Sequence, residues 1–270
     1  MQHAISLYTF NDSALAKLVE EFADYGFDTF SFNHTMLLNA GPQDLNDAAG
    51  LIARRGYSVT LHVGFEITPD ITSRFLGLFG DSLRCITFDR VSTETSTGIT
   101  YDVGRMKPVL ANVAEQTRGT GVLFGVEDFP LDAAALELFR EGIEPFLGNE
   151  RFGTLIDLGH LNYRLRSVDY FRRLTPEEYL ARVPVPIIEI HVHDNKGNRD
   201  DHAHIGYGNC DFAAAARGLR AAGFDGVSTI EICGQLHNST PAAARAHVRE
   251  SLETWQAVWA AATQDNQPGA

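Results

Sequence analysis

The chain has little cysteine, no long apolar run and no signal-peptide pattern. Three cysteines, Cys85, Cys210 and Cys233, are spread over 270 residues, and an odd, dispersed set is not a disulfide framework. No apolar stretch approaches the roughly 20 residues of a membrane span. The opening MQHAISLYTFND has no basic region before an apolar core, so we expect no signal peptide. These absences predict a cytoplasmic protein without a membrane partner.

Basic residues are also scarce. The chain has 22 Lys and Arg against 35 Asp and Glu, a formal net charge of −13, which repels polyanions. A nucleic-acid binder usually carries a basic stripe, and the densest basic stretch here, 164–173, is interrupted by Asp169. We therefore expect no nucleic-acid partner.

Short apolar runs alternate with amphipathic stretches along the whole chain. Eight runs rich in β-branched or aromatic residues predict strands: 4–10, 29–33, 58–63, 83–88, 121–127, 153–157, 187–193 and 228–232. Each is followed by a helical pattern, and alternating β and α elements predict a parallel sheet. Eight units in this length favour a single α/β domain, a (β/α)₈ TIM barrel over residues 1–263, with a flexible tail at 264–270. The alternative, an open doubly wound sheet, lacks GxGxxG or GxxxxGK[ST] after any strand.

The helical patterns have recognisable ends. In DFAAAARGLRAAGF, Asp211 is a fitting N-cap and Gly223 a fitting stop. The final helix carries an apolar stripe from Val248 to Trp259.

Titratable residues fall at the ends of four consecutive predicted strands, where a TIM barrel has its active site. Strand five ends at Glu127, strand six at Asp157 and strand eight near Glu231. In strand seven, IEIHVHD, the period of two puts Glu189, His191 and His193 on one face. Strand three carries His62, and strand four ends at Asp89.

Buried carboxylates that converge on one barrel mouth repel each other, and a divalent cation removes that cost. Two glutamates, an aspartate and a histidine are oxygen and nitrogen ligands suited to Mn²⁺, Mg²⁺, Co²⁺ or Zn²⁺. Taken singly, Glu127 or Glu231 could pair with a cation, Asp157 could cap a helix, and only one of His191 and His193 need be a ligand. The joint pattern predicts one divalent metal ion at the mouth.

Four segments resemble the sugar phosphate isomerase/epimerase superfamily, the xylose isomerase-like TIM barrels. They are GVEDFP (125–130), IDLGH (156–160), HVHDNKGNRDDHAHIGYG (191–208) and IEI (230–232). The superfamily includes ketose 3-epimerases, inosose dehydratases, hydroxypyruvate isomerases and endonuclease IV-type AP endonucleases. The resemblance extends over nearly the whole chain in strand order, and it makes homo-dimers or tetramers plausible.

The resemblance implies roles for individual residues. Four of them would bind one divalent ion: Glu127, Asp157, His191 and Glu231. His160 would contact a substrate oxygen. Asp200 and His202 match a D-x-H pair that serves a further metal in the endonuclease members. Those members carry an additional histidine at the end of strand four, where this chain has Asp89. Many isomerase members carry a glutamate in strand two, which TFSFN lacks.

We therefore predict an isomerase or epimerase that acts on a sugar, a sugar phosphate or a related polyol or hydroxy-carbonyl compound. Glu127 and Glu231 would remove and return a proton through a metal-stabilised enediolate. His160, His62, His202 and Lys196 would contact the substrate. Three alternatives are a dehydratase with the same first step, an AP endonuclease-like phosphodiesterase with two or three metals, and a non-catalytic sugar-binding barrel with a structural metal.

Overall fold

The structure, a computed structural model, describes residues 1–64, 66–89, 92–95, 98–101, 103–130, 133–167, 174–232 and 240–264. Eight parallel strands close into a barrel. They are β1 (Gln2–Ser6), β2 (Thr29–Asn33), β3 (Ser58–Val63), β4 (Leu83–Phe88), β7 (Leu123–Glu127), β8 (Phe152–Asp157), β9 (Ile187–Val192) and β10 (Val227–Ile230). Because β1 pairs with both β10 and β2, the sheet has no free edge. The predicted TIM barrel is confirmed, and the open doubly wound sheet is wrong.

Helices surround the barrel and follow the strands. They are α1 (Leu15–Ala23), α2 (His34–Asn39), α3 (Pro42–Arg55), α4 (Pro69–Phe79), α5 (Val103–Gln116), α6 (Ala133–Ile143), α7 (Leu158–Ser167), α8 (Pro176–Leu180), α9 (Phe212–Ala221) and α10 (Pro241–Gln264). Asp211 caps α9 as predicted, since its side chain accepts a hydrogen bond from the N–H of Ala214. Within the described ranges, no helix is both long and apolar enough to cross a bilayer.

Two local features differ from the sequence prediction. The first strand ends at Ser6 rather than at residue 10, because the chain turns there and the N–H of Phe10 bonds to the carbonyl of Leu7. A short antiparallel hairpin that the apolar pattern did not predict, β5 (Ser92–Thr95) and β6 (Gly98–Tyr101), lies between β4 and α5. Its residues are mostly polar, so a search for apolar runs does not detect it.

The barrel interior contains polar side chains as well as apolar ones. Thr60, Thr87 and Thr229 are fully buried on the strands, and Thr87 of β4 donates a hydrogen bond to Glu189 of β9. Two strands separate β4 from β9 in the sheet, so this contact crosses the interior. The apolar core lies mainly between the strands and the helices, where Trp255 of α10 is one of the largest buried side chains.

Three parts of the sequence prediction fall on undescribed positions. Cys233, residues 168–173 of the basic stretch and residues 265–270 lie outside the described residues. The predicted boundary at residue 263 stays a prediction, and α10 extends to Gln264.

Candidate metal centre

Four consecutive barrel strands, β7 to β10, each bring one titratable residue to the mouth. Glu127 is the last residue of β7 and Asp157 the last of β8. His191 lies one residue before the end of β9. Glu231 directly follows β10 and is held there because its N–H donates to the carbonyl of Val192. Parallel strands end at the same edge of the sheet, so register places these four side chains together.

The distances show two overlapping groups of potential ligands. In one group, ligand atoms of Asp157, His191 and Glu231 all lie within 4.8 Å of one another. In the other, His62, Glu127 and His191 meet the same limit. His191 belongs to both groups and is therefore the centre of the arrangement.

Among the described histidines of the mouth, His191 is the one whose two ring nitrogens both lack a hydrogen bond of good geometry. Its side chain is 1% exposed, and neither Nδ1 nor Nε2 makes a hydrogen bond. Nδ1 lies 2.8 Å from Oε2 of Glu231 and 3.8 Å from Oδ2 of Asp157, but the contact with Glu231 lacks hydrogen-bond geometry. A buried nitrogen without a hydrogen bond, facing two carboxylates, fits a divalent cation whose ligands are oxygen and nitrogen atoms.

The protonation states show how strongly the mouth concentrates charge. Burial opposes ionisation of Glu231, but the imidazoles of His191 and His202 outweigh it and hold the Glu231 pKa well below its usual value. In the same way, burial opposes and His160 and His193 favour ionisation of Asp157, whose pKa falls to about 2. Burial lowers the pKa of His191, yet the Glu231 carboxylate outweighs it and the net shift is upward. Both carboxylates are thus ionised at neutral pH, as metal binding requires.

A second cluster adjoins the first across Asp157. Ligand atoms of His160, His193, Asp200 and His202 also lie within 4.8 Å of one another. His193 Nε2 is 2.9 Å from Oδ1 of Asp157, and the rings of His193 and His202 stack with centroids 3.8 Å apart. The structure therefore brings both residues of the Asp200–His202 pair to the mouth, together with His160.

Asp128 is a site residue that the sequence prediction missed. It is 1% exposed and has a positive φ of 55°, a conformation that non-glycine residues adopt only when their surroundings impose it. Its Oδ2 lies 2.9 Å from Nδ1 of His160 and 3.3 Å from the guanidinium of Arg164. Asp128 thus directs the other ring nitrogen of His160, Nε2, toward Asp200 at 3.0 Å. The acidic pair in GVEDFP was the available signal.

The loop after β9 folds back over the mouth, and the Asp194 carboxylate holds it there through hydrogen bonds to the loop backbone. Oδ2 of Asp194 accepts the N–H groups of Gly206 and Gly208 at 3.0 and 2.8 Å. A Cβ at Gly208 would collide with the backbone of Asn195, so this position requires glycine. His202, on the returning segment, has a positive φ of 43°. The glycine pattern of the sequence indicated this loop, but not which side chain fixes it.

The two remaining residues predicted to contact the substrate, His62 and Lys196, lie in different parts of the structure. The ring of His62 meets that of His191 with centroids 4.8 Å apart, and its Nε2 is 2.8 Å from Oδ1 of Asp89. Burial lowers the pKa of His62, but Asp89 outweighs it and raises the value to about 10. Lys196 is exposed, and its ammonium lies 4.5 Å from the centre of the Tyr207 ring. His62 is therefore part of the mouth, whereas Lys196 lies on the outer loop.

Comparison with known proteins agrees with the barrel. The family model for xylose isomerase-like TIM barrels matches residues 96–257, more than half of the chain. An L-ribulose 3-epimerase structure superposes with a TM-score of 0.69 at 18% identity, covering 99% of this chain and all of that one. A D-psicose 3-epimerase from Clostridium cellulolyticum H10, solved with D-tagatose, gives 0.68 at 13%, covering 96% of this chain and 99% of that one.

Two further similar proteins are a zinc-containing structure and a sequence relative. The IolI protein, solved with a zinc atom, superposes with a TM-score of 0.62 at 16% identity over the full length of both chains. At such identities these structures establish the fold alone. An uncharacterized protein of Methanocaldococcus jannaschii is 29% identical over 125 residues, which are 45% of this chain. The match spans only 41% of that relative's length.

Proposed function

This chain belongs to the xylose isomerase-like TIM barrel family, and we propose that it is a divalent-metal-dependent isomerase or epimerase of a sugar or related polyol. The observation that carries the proposal is the environment of His191. A buried imidazole without a hydrogen bond faces carboxylates from neighbouring strands. Nδ1 has only the 2.8 Å ion pair with Glu231, and Nε2 has no hydrogen-bond partner among the described residues.

We assign Glu127, Asp157, His191 and Glu231 as the residues that would hold one ion. Mn²⁺, Mg²⁺, Co²⁺ and Zn²⁺ all accept such ligands, and we propose manganese first. When bound, the ion would supply Lewis-acid polarisation of a substrate carbonyl or hydroxyl. The three dispersed cysteines, none of them among these residues, fit a cytoplasmic enzyme.

Glu127 and Glu231 would transfer the proton. They come from β7 and β10, which two strands separate in the barrel, and they fall in different ligand groups around His191. One carboxylate removes the proton from the carbon beside the substrate carbonyl, and the other returns it. Return to the opposite face of the same carbon is epimerisation. Return to the former carbonyl carbon, with the hydroxyl proton passing to the former carbonyl oxygen, is isomerisation.

Histidines around the mouth would bind the substrate oxygens. The rings of His62, His160 and His202 adjoin the proposed ligands. Burial lowers the pKa of His160, but Asp157, Glu127 and Asp128 raise it well above its usual value. The Nε2–H of this imidazolium, which faces Asp200, would have to exchange that partner for a substrate oxygen that gains negative charge. Lys196, on the outer loop, would reach only the far end of a longer substrate.

Metal content and proton exchange test the proposal together. Protein purified without chelator is analysed for metal per chain, reconstituted with Mn²⁺ or Co²⁺, and incubated in deuterated water with ketoses, inososes and hydroxy-acids. We expect about one ion per chain and deuterium incorporation at one substrate carbon. No metal after reconstitution would overturn the proposal.

Variants assign the exchange to the proposed site. Glu127→Gln and Glu231→Gln should each lower the exchange rate by about 100-fold or more, since general acid–base groups contribute at least that factor. Glu66→Gln is the matched control, because Glu66 is an exposed carboxylate of the β3–α4 loop that pairs with Arg105. Equal loss in all three variants would show a nonspecific effect.

Two alternatives have distinct outcomes. The second cluster of His160, His193, Asp200 and His202 favours a phosphodiesterase with more than one metal, which would show two or three ions per chain and no exchange into any sugar. A dehydratase would exchange the same proton and also release water. Mass spectrometry separates the two enzymes, because a dehydratase product has lost one water and an isomerase product has the mass of its substrate.

A further inference from the structure

A second carboxylate on β9 lies deeper in the barrel than the proposed ligands. Glu189 is 0% exposed and belongs to the same strand face as His191, two residues before it. The hydrogen bonds that reach it come from neutral groups. Thr229 Oγ1 donates to Oε1 at 2.8 Å, and Thr87 Oγ1 and Cys85 Sγ donate to Oε2 at 3.0 and 3.4 Å.

Glu189 has one cationic neighbour among the described residues. Oε1 lies 3.9 Å from Nε2 of His191, about 1 Å longer than a hydrogen bond. That nitrogen is itself buried and makes no hydrogen bond. A buried N–H position without a partner thus faces a buried carboxylate oxygen, Oε1, which accepts one hydrogen bond from Thr229 and can accept a second.

The two nitrogens of His191 have different surroundings. Nδ1 faces Glu231 and Asp157 at the mouth, whereas Nε2 faces Glu189 in the interior. An imidazole that binds a cation through one nitrogen carries its proton on the other, and ligand histidines commonly donate that N–H to a carboxylate. The direction of the ring therefore selects Nδ1 as the ligand atom and Nε2–H as the donor.

We propose that Glu189 is a positioning residue, which accepts the Nε2–H of His191 and thereby fixes the tautomer and direction of that ligand. The proposal rests on the proposed metal-dependent function and deepens it. Glu189 contacts neither the substrate nor the ion. Its acceptor position is set by Thr229 of β10, which donates to Oε1, and by Thr87 of β4, which donates to Oε2.

Metal affinity of the Glu189→Gln variant is the main test. Glutamine keeps the volume and removes the charge. Competition with a chromogenic chelator gives the dissociation constant for Co²⁺ of the full-length protein. We expect it to rise about 10- to 100-fold, the range for loss of an outer partner of a metal ligand. An unchanged constant would overturn the proposal and leave Glu189 as a hydrogen-bonded core residue.

Stability without metal separates positioning from packing. A structural role would lower the urea midpoint of the chelator-treated variant, whereas a positioning role leaves that midpoint at or above the wild-type value, because the variant buries one charge fewer. Cys85→Ala is the matched control, since it removes a contact on Oε2, the oxygen away from His191. We expect its Co²⁺ affinity to equal that of the wild type. An equal affinity loss in both variants would contradict the proposal.

Histidine NMR keeps the proposal testable if the variant does not fold. In the zinc-loaded wild type with ¹⁵N-labelled histidine, we expect His191 to carry its proton on Nε2 and to show a slowly exchanging proton there, assigned by its loss in His191→Ala. A proton on Nδ1 would overturn the proposal. The failure of the proposed function looks different, because then the wild type itself binds no Co²⁺ or Zn²⁺.

Discussion

Two strand-to-helix corners of this barrel have the same local structure and different surroundings. Asn33 ends β2 and caps α2, where its Oδ1 accepts the N–H of Met36 at 2.8 Å. Asp157 ends β8, and its Oδ1 accepts the N–H of His160 at the same distance. At the first corner His62 of β3 lies opposite Asn33 in register, but its ring bonds Thr87 and Asp89. At the second corner a histidine bonds the capping carboxylate itself, with His193 Nε2 2.9 Å from Asp157. Capping explains the backbone at both corners, so the neighbours decide which corner carries chemistry.

Exchanging the amide and the acid at the two corners should give the largest effect. Asp157→Asn keeps the capping oxygen but removes the charge, so we expect Co²⁺ affinity to fall by more than the 10- to 100-fold associated with an outer partner. Asn33→Asp also keeps its cap and should leave the affinity unchanged. Chelator competition on both variants measures this. Similar affinities in the two variants would mean that Asp157 is only a cap.

A methyl group at each corner should separate their packing. Gly159 is the second residue of α7, and a Cβ there would collide with the ring of His193. We expect Gly159→Ala to lower the free energy of unfolding by about 1–3 kcal/mol, as overpacking does. Thr35 occupies the corresponding position of α2 and is exposed, so Thr35→Ala should change stability by less than about 0.5 kcal/mol. Urea titration of both variants without metal makes the comparison.

Acidity should weaken metal binding at His191 of β9, the strand beside the β8 corner. The pKa of His191 is raised, because the Glu231 carboxylate outweighs burial. The ring must lose its proton to bind an ion, so protons compete below this raised pKa, and one displaced proton makes affinity rise about 10-fold per pH unit. Chelator competition at pH 6, 7 and 8 should show tightening as the pH rises. A constant affinity across this range would show that the ring is already neutral.

The smallest effect is expected near the β2 corner, in the His62–Asp89 pair. Burial opposes and Asp89 favours the charged form of His62, whose folded-state pKa of about 10 exceeds the unfolded value of 6.5. The stabilisation is therefore fully present below pH 6.5 and is lost as the pH rises through 10. Because the Asp89 side chain is 57% exposed, we expect only about 1 kcal/mol or less. In urea titrations without metal, the free energies of unfolding of wild type and His62→Gln should become more similar from pH 6 to pH 10. A difference in unfolding free energy that grows with pH would contradict the prediction.

Periodicity was sufficient to predict the barrel. Alternating apolar runs and helical stripes placed the strands within a few residues, because β-branched runs between amphipathic segments can bury their faces only by pairing in parallel. The first strand was drawn too long and the 92–101 hairpin was missed. The turn after Leu7 and the hairpin are formed by local backbone hydrogen bonds, which an apolar pattern does not encode.

For the candidate site, only the residue types and their positions at the strand ends could be predicted from the sequence. The sequence by itself determined that Glu127, Asp157, His191 and Glu231 reach one edge, because the carboxyl ends of consecutive parallel strands meet there. The tertiary structure decided the rest. It turned Nδ1 of His191 toward two carboxylates and Nε2 toward Glu189, and it placed Asp128 under His160. Those contacts join residues far apart in the chain, and their direction depends on side-chain rotamers and barrel register, which no local pattern encodes.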